Sequence, residues 1–275
     1  MSALEIVQAF VTNNDCYKAN VNRADKRYVK FQDEGPKGLM LHSVGCAQPD
    51  ASVFVRKWDK PNYSACAHAV IDANSGIVMQ TLPWNFRGWH CGSGSKGAAA
   101  SCNNTHIGVE MCESKWIKYT GHLADFEILD KAKAQEDAKR AYNAAVELFA
   151  LLCQMFDLDP LTAILSHREG GKAGIASGHV DPEHYWTQLG TAYTMDGFRQ
   201  AVKDKLAETP ESPETGFPFV DVPEKAYYRK AVEWAYATGI TAGTSKTMFS
   251  PDKPITRAEA VTMMRKLYKL IEGGG

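Results

Sequence analysis

Short apolar runs, a long stretch with three- and four-residue periodicity and a polar break divide the chain. Gly38–Val44, Ala67–Asp72, Gly76–Leu82, His106–Cys112 and Ile164–His167 are rich in Val, Ile, Leu and Met and have the length of strands. Asn74-Ser75-Gly76 separates two of them and predicts a hairpin turn. Residues 131–157 predict a long amphipathic helix, with Tyr142, Val146, Phe149, Cys153 and Phe156 on one side. Asp159-Pro160 is the expected stop. A further helix is expected near Asp196–Leu206. Strands interleaved with packed helices predict an α/β or α+β layer fold, a mixed central sheet flanked by helices.

The segment from Ala207 to Gly216 is rich in Pro, Glu, Thr and Ser and holds almost nothing apolar. It cannot offset the entropy of ordering, so it reads as a linker. The expected organisation is therefore 1–206, a linker at 207–216 and a small all-α module at 217–272. In that module Ala231, Val232 and Ala235 form one stripe closed by Gly239. Thr256-Arg-Ala-Glu259 opens a second helix as a capping box, and Val261, Met264, Leu267 and Ile271 continue its apolar side. About 55 residues make a marginal core.

Charge sharpens this division. The chain of 275 residues has 31 Lys and Arg against 32 Asp and Glu, a net charge of −1. Nine basic and six acidic residues lie from Phe217 onward, which leaves −4 on the first 216. That balance argues against nucleic acid held by bulk electrostatics. The longest apolar run, Leu148–Cys153, is far short of a membrane span. The first residues show no basic n-region and no apolar h-region, so a protein made in the cytoplasm without a signal peptide is expected. Seven cysteines with no CxxC pair fit free thiols rather than a four-cysteine zinc site.

Eight histidines supply the candidate chemistry. His42 and His167 each follow a buried run and can project from a rigid element. His179 and Asp181 share the loop after the His167 run. Two His and one carboxylate would leave a fourth position open on a zinc ion, although the HExxH helix motif is absent. Glu110 lies between Val109 and Met111, where burial would raise its pKa and suit it to general base work; a solvent-facing strand position is the bland alternative. Gly92-Ser-Gly-Ser-Lys-Gly97 matches GxGxxG, but no helix fits behind it, so dinucleotide binding is set aside. Cys46 and Cys112 lie near His42 and Glu110, yet thiols in apolar strands are usually inert packing.

Five blocks in order carry a resemblance: Leu41-His-Ser-Val-Gly-Cys46, Ala67-His-Ala-Val-Ile-Asp72, Gly88-Trp-His-Cys-Gly92, His106-Ile-Gly-Val-Glu110, and Ser166-His-Arg-Glu-Gly170 with Gly178-His-Val-Asp-Pro182. Together they resemble zinc N-acetylmuramoyl-L-alanine amidases, which share the fold of peptidoglycan recognition proteins and phage lysozyme-type amidases. The subgroup most similar is that of endolysins from clostridial phages and prophages. The resemblance covers roughly residues 1–205. It implies metal ligation by His42, His167 and Asp181, a catalytic acidic residue at Glu110, and His179 where many relatives have Lys. A Tyr that some relatives use is Ala67 here, which shifts the work to Glu110. His68, His90 and Asn104 match groove-lining positions, either as substrate contacts or as structural hydrogen-bonding groups.

The tail resembles a single S-layer homology unit, carried by Phe219-Val-Asp-Val-Pro223, Ala231-Val-Glu-Trp-Ala235, Phe249-Ser-Pro251 and Ile255-Thr-Arg-Ala-Glu259. The resemblance implies binding of a secondary cell-wall polymer through Arg257. One copy, where three commonly assemble, leaves weak anchoring, self-association or a partner as alternatives. The expected function is hydrolysis of the amide between the lactyl group of N-acetylmuramic acid and L-alanine of peptidoglycan, with Zn2+ as cofactor. An endolysin released through a holin is the expected biology. A non-catalytic peptidoglycan recognition protein is the rival reading, and a wall-anchored structural protein a weaker one.

Overall fold

The computed structural model describes residues 4–22, 35–121, 124–208, 217–224 and 226–272. His122, residues 209–216 of the expected linker and the Gly273–Gly275 end lie outside the described residues. The chain divides into two compact units, Met1–Leu206 and Ala207–Gly275.

The first unit begins with β1 (Ile6–Gln8) and α1 (Asp15–Val21), neither expected from the apolar pattern. The side chain of Asn14 caps α1 by accepting from Cys16 N at 2.8 Å. Next come β2 (Gly38–Ser43), α2 (Ala51–Trp58), β3 (Ala69–Ile71), β4 (Val78–Gln80) and β5 (His106–Met111). A two-stranded excursion, β6 (Ile117–Tyr119) and β7 (Phe126–Ile128), precedes the long α3 (Lys131–Phe156). The unit continues with α4 (Pro160–Ala163), β8 (Ile164–Ser166), α5 (His167–Lys172), α6 (Glu183–Leu189) and α7 (Met195–Glu208).

Six strands form one mixed sheet in the order β1-β4-β3-β5-β2-β8. The expected mixed sheet with flanking helices is therefore present. β3 and β4 pair antiparallel across the predicted turn, where Gly76 takes φ 81°, a left-handed value that favours glycine. The central pairs β3–β5, β5–β2 and β2–β8 are all parallel.

Alternation along the central strands splits the chemistry between two faces. Leu39 and Leu41 of β2, with Ile107, Val109 and Met111 of β5, join the main core. Met40 instead belongs to a small second cluster with Cys91, Cys102 and Ala176. His42 and Glu110 share the parity of Met40 and Gly108 and so belong to that second face.

The main core owes its tightness to α3. Ala134, Ala138, Ala141 and Ala145 recur at helical spacing and are all essentially inaccessible. Small side chains let a helix lie close to its neighbours, and Leu148, Phe149 and Leu152 then fill the wider space. The helix ends before the expected stop. Asp157 adopts φ 54° and its N–H returns to the Cys153 carbonyl. Asp159 instead caps α4, accepting from Leu161 N. Similarly, α7 runs to Glu208, so Ala207 and Glu208 are helical rather than part of a linker.

In the second unit α8 (Arg229–Ala237) and α9 (Arg257–Glu272) are joined by a loop. Its core is Phe219, Val222 and Val232, with Phe217, Tyr228, Tyr236 and Phe249 packed around it. Asp221 ties the loop down by accepting from Phe249 N at 2.8 Å and Ser250 N at 2.6 Å. The predicted capping box forms: Thr256 Oγ1 accepts from Glu259 N at 3.2 Å, and Glu259 accepts from Thr256 N at 2.8 Å. The expected apolar side of α9 is not buried, however. Val261 and Met264 are about 60% exposed.

Candidate active site

The parallel register brings the candidates together. His42 pairs with Glu110 across β2 and β5, and Leu41 pairs with Ser166 of β8, the residue before His167. All three candidates therefore sit at the carboxyl ends of adjacent parallel strands, where open α/β sheets bind ligands. Ser166 fixes the start of α5 through a capping box with Glu169, holding His167 as the first helical residue.

Asp181 comes from the loop that follows α5. Its carbonyl accepts from Arg168 N at 3.2 Å, and its carboxylate accepts from Ser43 N at 3.4 Å. The loop is also tied to the segment before β5: Lys96 N donates to Gly174 O, Cys102 N to Ile175 O and Ser177 N to Cys91 O. Gly92–Gly97 therefore belongs to this framework, and only a three-residue 3-10 turn, Ala98–Ala100, follows it.

His42 Nδ1 lies 3.1 Å from His167 Nδ1 and 3.3 Å from Asp181 Oδ2. His167 Nδ1 lies 3.4 Å from Asp181 Oδ1. All three residues are buried, and one ligand atom from each falls within 4.8 Å of the others. Two imidazole nitrogens and a carboxylate converging away from water form a donor set that fits a divalent ion.

Burial raises the Asp181 carboxyl, but hydrogen bonds from His167 and His42 outweigh it and hold the group below the usual carboxylate range. Burial lowers His42. His179 is exposed, and its Nδ1 reaches to 2.9 Å from His167 Nε2 with the rings perpendicular.

Glu110 is half-buried, but its Oε2 is enclosed and has no hydrogen-bond partner. Desolvation, with the negative charges of Asp181 and Glu113, pushes its pKa well above the ordinary value. A carboxylate in this state has a raised affinity for a proton.

The three expected groove residues have other attachments. His68 is fully enclosed; its Nε2 donates to Phe86 O at 2.7 Å and its Nδ1 accepts from Gly108 N at 3.0 Å. Such a ring has no open face for a substrate. Asn104 accepts from Arg87 Nε at 2.7 Å and donates to Ala98 O and Ala99 O. His90 is half-buried, with Nδ1 2.9 Å from His42 Nε2 and Nε2 3.1 Å from His106 O. Gly108 makes this possible, because a Cβ there would collide with the His90 ring. Arg257 is exposed at the start of α9 in the second unit.

Sequence reasoning missed two groups. Ser177 Oγ lies 3.2 Å from His167 Nε2. Glu113 is fully buried, accepts from Tyr119 Oη at 2.6 Å and Gly45 N at 3.2 Å, and is raised by burial to about 7. Tyr119 Oη also meets His184 Nε2 at 2.9 Å. A carboxylate directly after an apolar strand was the available signal for Glu113; Ser177 carried none.

A convergent donor set that could hold a metal, beside a desolvated carboxylate at the carboxyl ends of parallel strands, gives this α/β fold the makings of an active site. More specifically, a family model described as N-acetylmuramoyl-L-alanine amidase matches residues 32–184, and the chain belongs to that family. The S-layer homology domain model matches residues 218–261, so the second unit carries such a domain.

Among curated proteins, the N-acetylmuramoyl-L-alanine amidase CwlH of Bacillus subtilis (strain 168) is 34% identical over 65 residues, 24% of each chain. The 1,6-anhydro-N-acetylmuramyl-L-alanine amidase AmpD of Citrobacter freundii is 26% identical over 102 residues, 32% of this chain and 54% of that one. The chain thus spans about a quarter and about half of these relatives' lengths. The Staphylococcus aureus hydrolase AmiA, solved with its ligand, is similar in fold, with TM-score 0.52 and 16% identity, covering 75% of this chain and 85% of that one.

Proposed function

We propose that the protein is a zinc-dependent peptidoglycan hydrolase that cleaves the amide between the lactyl group of N-acetylmuramic acid and L-alanine. The observation that carries this reading is the unpartnered, enclosed Glu110 Oε2 beside the His42, His167 and Asp181 group. Family membership supports the same bond. The residues at 1–206 supply catalysis in this reading, and those at 217–272 supply attachment to the wall.

His42, His167 and Asp181 would hold the metal, which would supply polarisation of the scissile carbonyl and a lowered pKa for water. Glu110 takes a proton from the attacking water, whose oxygen bonds to the carbonyl carbon. The His179 N–H donates to the oxyanion that develops on the substrate. Glu110 then returns the proton to the departing nitrogen as the C–N bond breaks. The products are the lactyl carboxylate and a free L-alanine amino group, which takes up the second proton of the water as an ammonium. His68 and Asn104 hold the walls of the groove by their backbone attachments, rather than touching substrate.

The S-layer homology domain binds a secondary cell-wall polymer, with Arg257 as its cationic contact. Self-association through the exposed side of α9 is part of this reading. No helix among the described residues is long and apolar enough to cross a membrane. An endolysin that reaches the wall by holin-type release fits the resemblance to phage enzymes.

The filled ligand set and the poised carboxylate weigh against a recognition-only protein. Mass spectrometry of peptidoglycan digested by the full chain, with metal analysis of the same sample, tests the proposal. New L-alanine amino termini and one zinc per chain are expected. Binding to peptidoglycan without release of fragments would favour the recognition reading.

A further inference from the structure

Cys91 and Cys102 stand at the two ends of the loop that carries Gly92–Gly97. Both are free thiols and both are buried. They share one small apolar cluster with Met40 and Ala176. Cys112, the next cysteine along the chain, belongs to the main core on the other side of the sheet.

Side chains on both sides of Cys102 hold the pair together. Asn103 Oδ1 accepts from Cys91 N at 3.1 Å and from Cys91 Sγ at 3.3 Å. Ser101 Oγ donates to Gly92 O and lies 3.7 Å from Cys91 Sγ. The Cys102 thiol itself hydrogen-bonds to Cys91 Sγ. The Cys91 sulfur therefore meets Cys102 and both of its neighbours.

The backbone repeats the pairing. Cys102 N donates to Ile175 O at 2.9 Å, and Ser177 N donates to Cys91 O at 2.8 Å. Both cysteines thus dock on one short segment, two residues apart, and that segment leads into His179 and Asp181. The loop between them is open to solvent from Ser95 to Ala100. Sulfur against sulfur across the neck of an exposed loop, with the backbones already fixed, is an arrangement from which a disulfide forms with little movement.

We infer that Cys91 and Cys102 form a disulfide when the protein meets a peroxide, closing the neck of the 92–101 loop and clamping the segment that leads to Asp181. The Cys91 sulfur attacks one peroxide oxygen: an S–O bond forms, the O–O bond breaks and one water leaves. Cys102 Sγ then attacks the sulfenic sulfur: the S–S bond forms, the S–O bond breaks and a second water leaves. Two thiols are oxidised and one peroxide is reduced to two waters. On the reading above the protein works at the wall, outside the reducing cytoplasm, where such a pair can stay oxidised. None of the reacting atoms belongs to the proposed ligand set, so the bond itself needs no metal.

The test uses the full chain with Cys46→Ser, which removes the exposed thiol. The protein is treated with hydrogen peroxide at neutral pH and digested with trypsin without reductant. Mass spectrometry should find the peptides Gly88–Lys96 and Gly97–Lys115 joined, lighter by two hydrogens than their sum. Fragmentation should place the bond on Cys102 rather than Cys112. Brief digestion of the folded protein should nick the chain after Lys96 more slowly once oxidised, and dithiothreitol should reverse both effects. Cys102→Ser should abolish the linked peptides and the protection; should that variant not fold, the comparison before and after dithiothreitol needs no substitution. Cys91 recovered as a free thiol or a sulfinic acid, a bond from Cys91 to Cys112, or nicking after Lys96 at equal rates in both states would overturn the inference. Zinc content, measured on the reduced protein, judges the metal-site reading separately.

Discussion

The two units differ in what they bury. The first buries His42, His167, Asp181 and Glu113, with the two histidines at the carboxyl ends of its parallel strands. The second buries no charged residue among those described. Its core rests on Phe219, Val222 and Val232, and it leaves Val261 and Met264 about 60% exposed. Burying ionisable groups is costly, and only a large apolar core offsets that cost. Among the described residues, buried ionisable groups are therefore confined to the first unit, and the charged groups of the second lie at its surface.

The strongest test of this contrast removes the poised carboxylate. Glu110→Ala should lower wall lysis by about 10²–10⁴ and leave zinc content at one per chain. His42→Ala should lose both the metal and the activity. Near wild-type lysis by the first variant, or a retained zinc in the second, would break the assignment.

A smaller effect is expected from the core of the second unit. Phe219→Ala should cost about 3–5 kcal/mol, enough to unfold so small a unit. Retention on whole walls in a pelleting assay should fall, while cleavage of soluble muropeptides by the same full-length variant should persist. Loss of both together would show that the units do not work separately.

Glu113 sharpens the contrast through pH. Its folded value of about 7 lies above the ordinary 4.5, so the folded state keeps the proton longer. Its unfavourable contribution therefore grows as pH rises from about 4.5 to 7 and then levels off. Glu113→Gln should raise stability at pH 8 by about 3 kcal/mol and by little at pH 4, read from urea melts at both values. An equal gain at both would remove the titration argument. Arg257→Ala is expected to have the smallest effect, a several-fold weaker retention on walls with stability changed by less than about 0.5 kcal/mol. Unchanged retention would remove Arg257 from the binding surface.

The long helix was legible because its apolar spacing extends over seven turns and tertiary contacts do not alter it. Its end was not, because a left-handed Asp157 is not a usual stop signal. β1 is three residues long and half exposed, and exists because it pairs with β4. The apolar side of α9 followed from periodicity, but periodicity does not supply a partner to bury it.

For the site, the residue types at His42, Glu110, His167 and Asp181 and their links to buried runs were determined by the sequence. Residues 125 positions apart became neighbours only through parallel pairing of β2 with β8. Tertiary structure also decided which face carries Glu110 and what stands behind each histidine. Side-chain identity is local, whereas desolvation and proton position depend on every group packed around the atom. Ser177, beside His167 Nε2, donates to the Cys91 carbonyl, a backbone group that looks the same at every position of a sequence.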